Sequence, residues 1–466
     1  VNAATLKEHA PSILVAALSS AFGVAVLEFF AVLRQIIMGD DVTGSSATVA
    51  FILGFVAYVF IAIAVYVGAV VTANTFSTII AGRTRTIALM RLIGSSAQTQ
   101  RRAVAREGLI VGVVGSLIGA LVGTGITLAV VAVGQFLREI PEYGFTLLEP
   151  ALALPVVAVV LTTWLASWVG SRRVLVVSPM QATGAATEHS LEETASSKGR
   201  SSAAIALFAT GIGILVLAIL LGLFTPAAVL VGVVGGLISF TGLVMGAHLV
   251  MPPALRLVGR LLGSSAPARL AAENAIRYPE RSSRTTIGLV IGVTLVTMFA
   301  VALQGYQNLI YAAQANDPTY YSGIDETLLV TVVIFSVLVG FSAVIAAVGM
   351  VNNLSLSVLQ RTRELGLLRA LGFTAKQVRT MIVAESAQLT LASVLVGLVL
   401  GTFYGWVGAQ SLLGGINGSP GIIIPGLPIP FAIGVVVLAA LLTLVASLGP
   451  SRRATRIAPV AALAVD

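Results

Sequence analysis

Arg361–Gly372 reads RTRELGLLRALG. Leu365, Leu368 and Leu371, with Leu367, recur at helical spacing on one side, and Arg361, Arg363 and Arg369 supply positive charge. Gly372 ends the helix, because glycine takes the left-handed C′ conformation without a steric penalty. Thr374 then opens a second helix, with Gln377 three residues on in capping-box spacing. The stretch predicts a short basic amphipathic helix, a glycine turn and a second helix, set between two apolar segments.

The same pattern stands earlier in the chain, as RTRTIALMRLIG at Arg83–Gly94. Arg83, Thr84, Arg85, Leu89, Arg91 and Gly94 match Arg361, Thr362, Arg363, Leu367, Arg369 and Gly372. Upstream, Asn74 and Ser77 match Asn352 and Ser355; downstream, Arg101, Glu107, Leu117, Gly119 and Gly123 match Arg379, Glu385, Leu395, Gly397 and Gly401. Ser95 and Gln98 read as the capping pair of the first copy. Each copy closes on an apolar run ending S-R-R-x5-P, at Ser171–Pro179 and Ser451–Pro459. One offset, that of Arg83 from Arg361, held over so many positions is an internal duplication.

Hydrophobic residues make up 57% of the chain and charged residues 10%. Soluble domains carry roughly 25% charged residues, so this composition, with apolar runs of about 20 residues, predicts an all-α polytopic membrane protein. The net charge of +8 reflects basic cytoplasmic segments facing anionic lipid heads rather than nucleic acid, since no aromatic residues interleave the Arg clusters. The chain has no cysteine, hence no disulfide framework. His9, His189 and His248 are scattered without metal-ligand spacing, and no metal site is expected. The excess of Arg over Lys suggests a bacterial source.

Spans are expected at about 12–33, 48–79, 108–137 and 152–170 in the first copy, and at 286–305, 327–355, 384–412 and 429–448 in the second. The first run reads as a retained span, because no small-residue cleavage site follows it. Two further spans, about 203–223 and 227–251, turn at Thr225-Pro226 and have no counterpart in the repeat. The expected organisation is a four-span repeat at 1–182, a polar linker at 183–202, a two-span insertion at 203–262 and a second four-span repeat at 263–466. With both termini cytoplasmic, every Lys and Arg except Arg34 and Arg138 falls on the inner side, as the positive-inside rule requires. The even span count then sets the two repeats parallel.

Gly119 and Gly123, like Gly397 and Gly401, stand four residues apart and permit close helix contact in lipid. Packing within one chain and self-association both fit. Glu28 is the clearest carboxylate inside a span and a functional candidate on that ground; pairing with Arg34 or snorkelling outward is the plainer reading. His248 falls near the inner end of its span, at headgroup level. None of Lys7, Lys198 and Lys376 follows a glycine, so there is no Walker A loop. No catalytic residue is expected.

Around Gln360–Gly372, Arg379 and Glu385 the sequence resembles the FtsX-like, MacB-type permeases of ABC transporters, whose pattern runs roughly E/Q-R-x-R-E-I-G-x-L-R-A-L-G. Ala271–Thr286, AAENAIRYPERSSRTT, resembles the N-R-x-P-x-R segment that opens such a unit. The first copy departs at Thr86, where the second has Glu364, and at Ala88, where it has Gly366. Four plus two plus four spans resembles the ten-span permeases that include the bacitracin-export group. The resemblance implies a bacterial cell-membrane permease with no cofactor of its own. A separate cytoplasmic ATPase, two copies per chain, would supply ATP and Mg chemistry. Arg83, Arg85, Leu89, Arg91 and Gly94, with Arg361, Arg363, Glu364, Leu365, Leu368, Arg369, Leu371 and Gly372, would form the ATPase-coupling helices. The large outer domain of many relatives is absent: the corresponding loops span only about 34–47 and 306–326. Substrate would then be met within the membrane part, which favours an amphipathic compound, peptide or lipid moving outward. Two alternatives remain at this stage. One is a mechanotransmitter acting on an outer partner; the other is an ion-coupled carrier, which would need matched acids at mid-bilayer depth.

Overall fold

The computed structural model describes residues 10–38, 58–59, 61–63, 65–66, 69–70, 72–73, 84–136, 150–171, 198–260, 266–277, 279–316, 332, 336, 339–340, 343–344, 347, 367–415 and 421–456. Every regular element among them is a helix, and the chain is an all-α polytopic membrane protein. Seven of the described helices are long and apolar enough to cross a bilayer, and a shorter apolar helix, Ile429–Leu444, stands where the tenth span was expected. The second and eighth expected spans, 48–79 and 327–355, fall largely outside the described residues.

The chain divides into two compact units, residues 1–186 with 311–341 and residues 187–310 with 342–466. In the first, α1 (Ala10–Met38), α2 (Thr84–Leu92), α3 (Ala97–Phe136) and α4 (Ala153–Gly170) follow one another. Glycines let the spans approach closely. A Cβ placed on Gly115 would stand 2.6 Å from Ala16 Cβ of α1, and one on Gly123 2.7 Å from the Ala21 carbonyl. Gly119 lies against Ala17 and Ser20, and Ser20 Oγ donates to the Ser116 carbonyl at 2.8 Å. Nearer the N-terminus of α3 the same row of glycines receives α4, where Gly112 meets Thr163 and Val160.

The second unit holds α5 (Lys198–Leu221), α6 (Ala228–Met245), α7 (Ala247–Gly259), α8 (Ala266–Arg277), most of α9 (Pro279–Asn316), α10 (Ala375–Leu413) and α11 (Ile429–Arg456). Here α9 lies on the glycine ladder of α10 as α1 lies on that of α3: Gly397 meets Val293, Gly401 meets Thr294 and Thr297, and Gly405 meets Met298 and Val301. The helix pair α5 and α6 also seats on α10. Ser239 and Tyr404 share a buried hydrogen bond of 2.9 Å, and Gly222 rests on Ser411. Two turns before Gly397, α11 contributes Thr443, whose Oγ1 donates to Thr390 Oγ1 at 2.7 Å.

One boundary differs from expectation. The run read as a span over 227–251 breaks at Gly246, which caps α6 and leads into α7. His248 consequently sits on α7, beyond the break. It is buried in the first turn of α7, with Ser201 Oγ 3.2 Å from its Nε2 and the Met245 carbonyl 3.2 Å from its Nδ1.

Candidate coupling site

Both copies of the basic stretch end in the same turn. Gly94 has φ +101° and Gly372 φ +99°, a region that side-chain-bearing residues rarely enter. Ser95 N donates to the Met90 carbonyl at 3.0 Å, and Phe373 N to the Leu368 carbonyl at 3.1 Å. These are the six-to-one bonds of a Schellman ending. In the second copy Thr374 then caps α10. Gln377 N donates to Thr374 Oγ1 at 3.2 Å and Thr374 N donates back to Gln377 Oε1 at 2.9 Å, the reciprocal box read from the sequence.

The first copy caps one residue later than expected. Ser96, not Ser95, accepts from Thr99 N at 3.1 Å, and α3 begins at Ala97. Ser96 and Thr99 stand to Thr374 and Gln377 as Arg83 stands to Arg361, so the true cap keeps the repeat offset that the Ser95–Gln98 pairing broke. Thr99 is too short to reach back to the backbone as Gln377 does, and its hydroxyl pairs with Ser96 Oγ at 2.8 Å. Ser95 Oγ accepts from Gln100 Nε2 instead.

The expected ridge of Leu365, Leu368 and Leu371 is split. Leu368 packs inward with Phe373 against Ala271 of α8 and Val378, Met381 and Ile382 of α10. Leu371 is 71% exposed, and Leu367 is exposed beside it. The reason lies in α8, an amphipathic helix that occupies the inner side of the turn. In the first copy Ile87 and Ala88 are buried, whereas Leu89, Met90, Leu92 and Ile93 are exposed, Ile93 to 80%. Arg85 and Arg91 are carried by α2, and Arg369 by the helical turn at 367–370. Arg83, Arg361, Arg363, Glu364, Leu365, Asn74 and Asn352 lie outside the described residues.

Each turn feeds directly into a long helix. At 1.5 Å per residue, α3 with 40 residues and α10 with 39 are each about 60 Å long, roughly twice the hydrocarbon thickness of a bilayer. The basic ends, with Arg101, Arg102 and Arg106 on α3 and Lys376 and Arg379 on α10, therefore stand beyond the hydrocarbon. Arg101 ties the base of α3 to the end of α4: its guanidinium lies 4.0 Å from the Trp168 ring centre, and Nη2 donates to the Trp168 carbonyl at 3.4 Å. In the other unit, Asn274 Nδ2 of α8 donates to Glu385 Oε2 at 3.5 Å. The Arg–Trp contact could have been suspected from the repeat-matched Arg101 alone; its partner, at the far end of another span, could not.

Glu28 does not reach outward. Its side chain is buried, Oε1 accepts from Thr124 Oγ1 of α3 at 2.6 Å, and Oε2 has no hydrogen-bond partner. Arg34 is exposed farther along α1, so the ion pair read from sequence is not made. Nothing in the spacing of Glu28 and Thr124 announces their meeting. Among the described residues no group of His, Asp and Glu is arranged to hold a metal.

The described residues thus form a multi-pass helical membrane protein that carries a duplicated basic helix–glycine–helix turn. The family described as FtsX-like permease C-terminal matches residues 58–179 and 336–459, a little over half of the chain, and the chain belongs to that family. The starts of the two matches, 58 and 336, are related by the same offset as Arg83 and Arg361. An uncharacterized ABC transporter permease of Bacillus subtilis, YknZ, is 30% identical over 142 residues, 30% of this chain and 34% of the relative. The Bacillus subtilis ABC transporter permease YtrF is 27% identical over 122 residues, 25% of this chain and 28% of the relative. The chain thus spans about a third or less of these relatives' length.

Proposed function

We propose that the chain is the permease subunit of an ATP-driven exporter, coupled through both glycine turns to a separate cytoplasmic ATPase dimer. The observation that carries this reading is the pair of Schellman turns presenting exposed apolar side chains. Leu89, Met90, Leu92 and Ile93 crown one and Leu367 and Leu371 the other, each at the basic end of a helix about 60 Å long. Such a crown suits a helix-in-groove contact, and a stiff helix passes its displacement to whatever packs along it. The organisation proposed is two FtsX-like repeats at 1–182 and 263–466, the linker 183–202 and the insertion 203–262, with both termini cytoplasmic in a bacterial cell membrane. The cargo is an amphipathic compound, peptide or lipid, consistent with short outer loops. ATP and Mg belong to the partner.

The test is co-purification with the ATPase encoded beside this gene, followed by native mass determination. One permease with two ATPase chains is expected. The double variant Ile93→Glu with Leu371→Glu should lose the ATPase while remaining monodisperse, because both side chains project away from the fold. Leu368 is a poor choice for this purpose, since it supports the protein's own core. A double variant that retains both ATPase chains overturns the coupling assignment.

A further inference from the structure

Residues 386–451 contain no Asp, Glu, Lys or Arg. The run takes in most of α10, the connection to α11 and most of α11 itself. The other long connections assigned to the outer side carry acid: Asp40 and Asp41, Glu139 and Glu142, Asp317 and Asp325. This connection is apolar instead, with GIIIPGLP at 421–428.

Its backbone is held by buried side chains. Gln410 is fully buried; its Nε2 donates to the Gly421 carbonyl at 2.8 Å and its Oε1 accepts from Ile423 N at 2.7 Å. Trp406 Nε1 donates to the Ile423 carbonyl at 2.7 Å, and Gly421 N donates to the Gly414 carbonyl at 3.1 Å. Ile423 turns inward, its Cγ2 3.6 Å from the Cβ position of Gly305 on α9. Its neighbours turn the other way: Ile422 is 79% exposed and Ile424 80%. Pro425 and Pro428 have no N–H to satisfy.

A loop in water presents polar groups outward and leaves its backbone to solvent. This one turns two isoleucines outward while its backbone is anchored at Gly421 and Ile423 by a buried amide and an indole. Outward isoleucines on a charge-free connection suit acyl chains better than water, and a tryptophan beside them is usual at the membrane interface, where half-satisfied backbone still meets water and headgroups. We propose that 421–428 is a membrane-docking segment at the end of α10 remote from Lys376 and Arg379, with Ile422 and Ile424 seated among the lipid acyl chains of that leaflet. The partner is the lipid surface itself, and the inference does not depend on the transport reading.

Because the chain has no cysteine, Ile424→Cys gives a single site for an environment-sensitive NBD label. The full chain is placed in nanodiscs of phosphatidylethanolamine and phosphatidylglycerol, with the exposed Gln98→Cys at the basic turn as the aqueous control. The label at 424 should emit to the blue of the control, be quenched by lipid doxyl-labelled near the headgroup, and show a several-fold smaller iodide quenching constant. Equal iodide quenching at both sites places the segment in water and overturns the proposal. Protection from both quenchers, with a dimeric native mass, shows a second copy covering the face and overturns it equally. If Ile424→Cys is not monodisperse, Ile422→Cys reports the same face.

Discussion

Replacing Gly401 with alanine adds one methyl group where α10 rests on α9. The new carbon would stand 2.5 Å from Thr297 Cβ and 2.6 Å from the Thr294 carbonyl oxygen. Carbon atoms pack best at about 3.5–4.0 Å, so α9 must withdraw by roughly an ångström along a contact shared with Gly397 and Gly405. Overpacking of this kind costs about 1–3 kcal/mol. Gly408, two turns on in the same helix, has no neighbour within 4 Å of its Cβ position. Alanine there removes a helix penalty of about 1 kcal/mol. The same chemical change, seven residues apart, should therefore differ by about 2–4 kcal/mol in effect and in sign. Thermal unfolding of both variants in one detergent, followed by size-exclusion recovery, reads the difference. The first unit supplies a replicate in Gly123→Ala, 2.7 Å from the Ala21 carbonyl, against Gly125→Ala, which has open space. If Gly401→Ala is as stable as Gly408→Ala, the close contact between first and third spans is not how this protein is held together.

Gly372→Ala should strain the turn by about 1 kcal/mol or more, because φ of +99° disfavours a side chain. The sign is faster hydrogen exchange at the Phe373 amide, which bonds the Leu368 carbonyl, and unchanged exchange there would count against the Schellman geometry. Thr124→Val removes the donor to Glu28 and should destabilise by about 1–3 kcal/mol. Adding Glu28→Leu should restore most of that loss, and additive effects in this double-mutant cycle would deny the contact. Gln410→Leu frees the 421–428 segment from its amide clamp, and limited proteolysis should then cut there several-fold faster, with the spans intact; equal rates would mean that Trp406 alone suffices.

The repeat was legible because its signal is local. A basic helix needs its glycine one residue past the end and its cap two residues beyond that, and both copies keep this spacing. Long apolar runs with flanking Arg likewise declared the spans. Other features required the third dimension. Leu368 and Leu371 share helical spacing, yet α8 buries one and leaves the other free; no property of RTRELGLLRALG foretells the arrival of Ala271. Glu28 looked like an interfacial acid because Arg34 is near in sequence, whereas its hydrogen-bond donor, Thr124, comes from a different helix far along the chain. The break at Gly246 was masked because α6 and α7 are both apolar enough to read as one run.

The two copies share a turn and a ladder but not a load. In the first unit, α3 carries α1 and, nearer its N-terminus on the same row of glycines, α4, with Arg101 fastening the base of the α3–α4 pair to Trp168. In the second, α10 carries α9 on its glycines, α11 through Thr390, α6 through Tyr404, α7 through the Gln388 bond to the Leu255 carbonyl, and α8 through Met381. Under the proposed coupling, an equal push at Gly94 and at Gly372 would therefore move unequal masses of helix. Among the described residues the exposed apolar crowns run the opposite way, with Leu89, Met90, Leu92 and Ile93 at the first turn and Leu367 and Leu371 at the second, where α8 has taken Leu368 for the fold. The two copies thus keep one joint and differ in the helices packed on it. Equal sequence at the two turns is no argument for equal work.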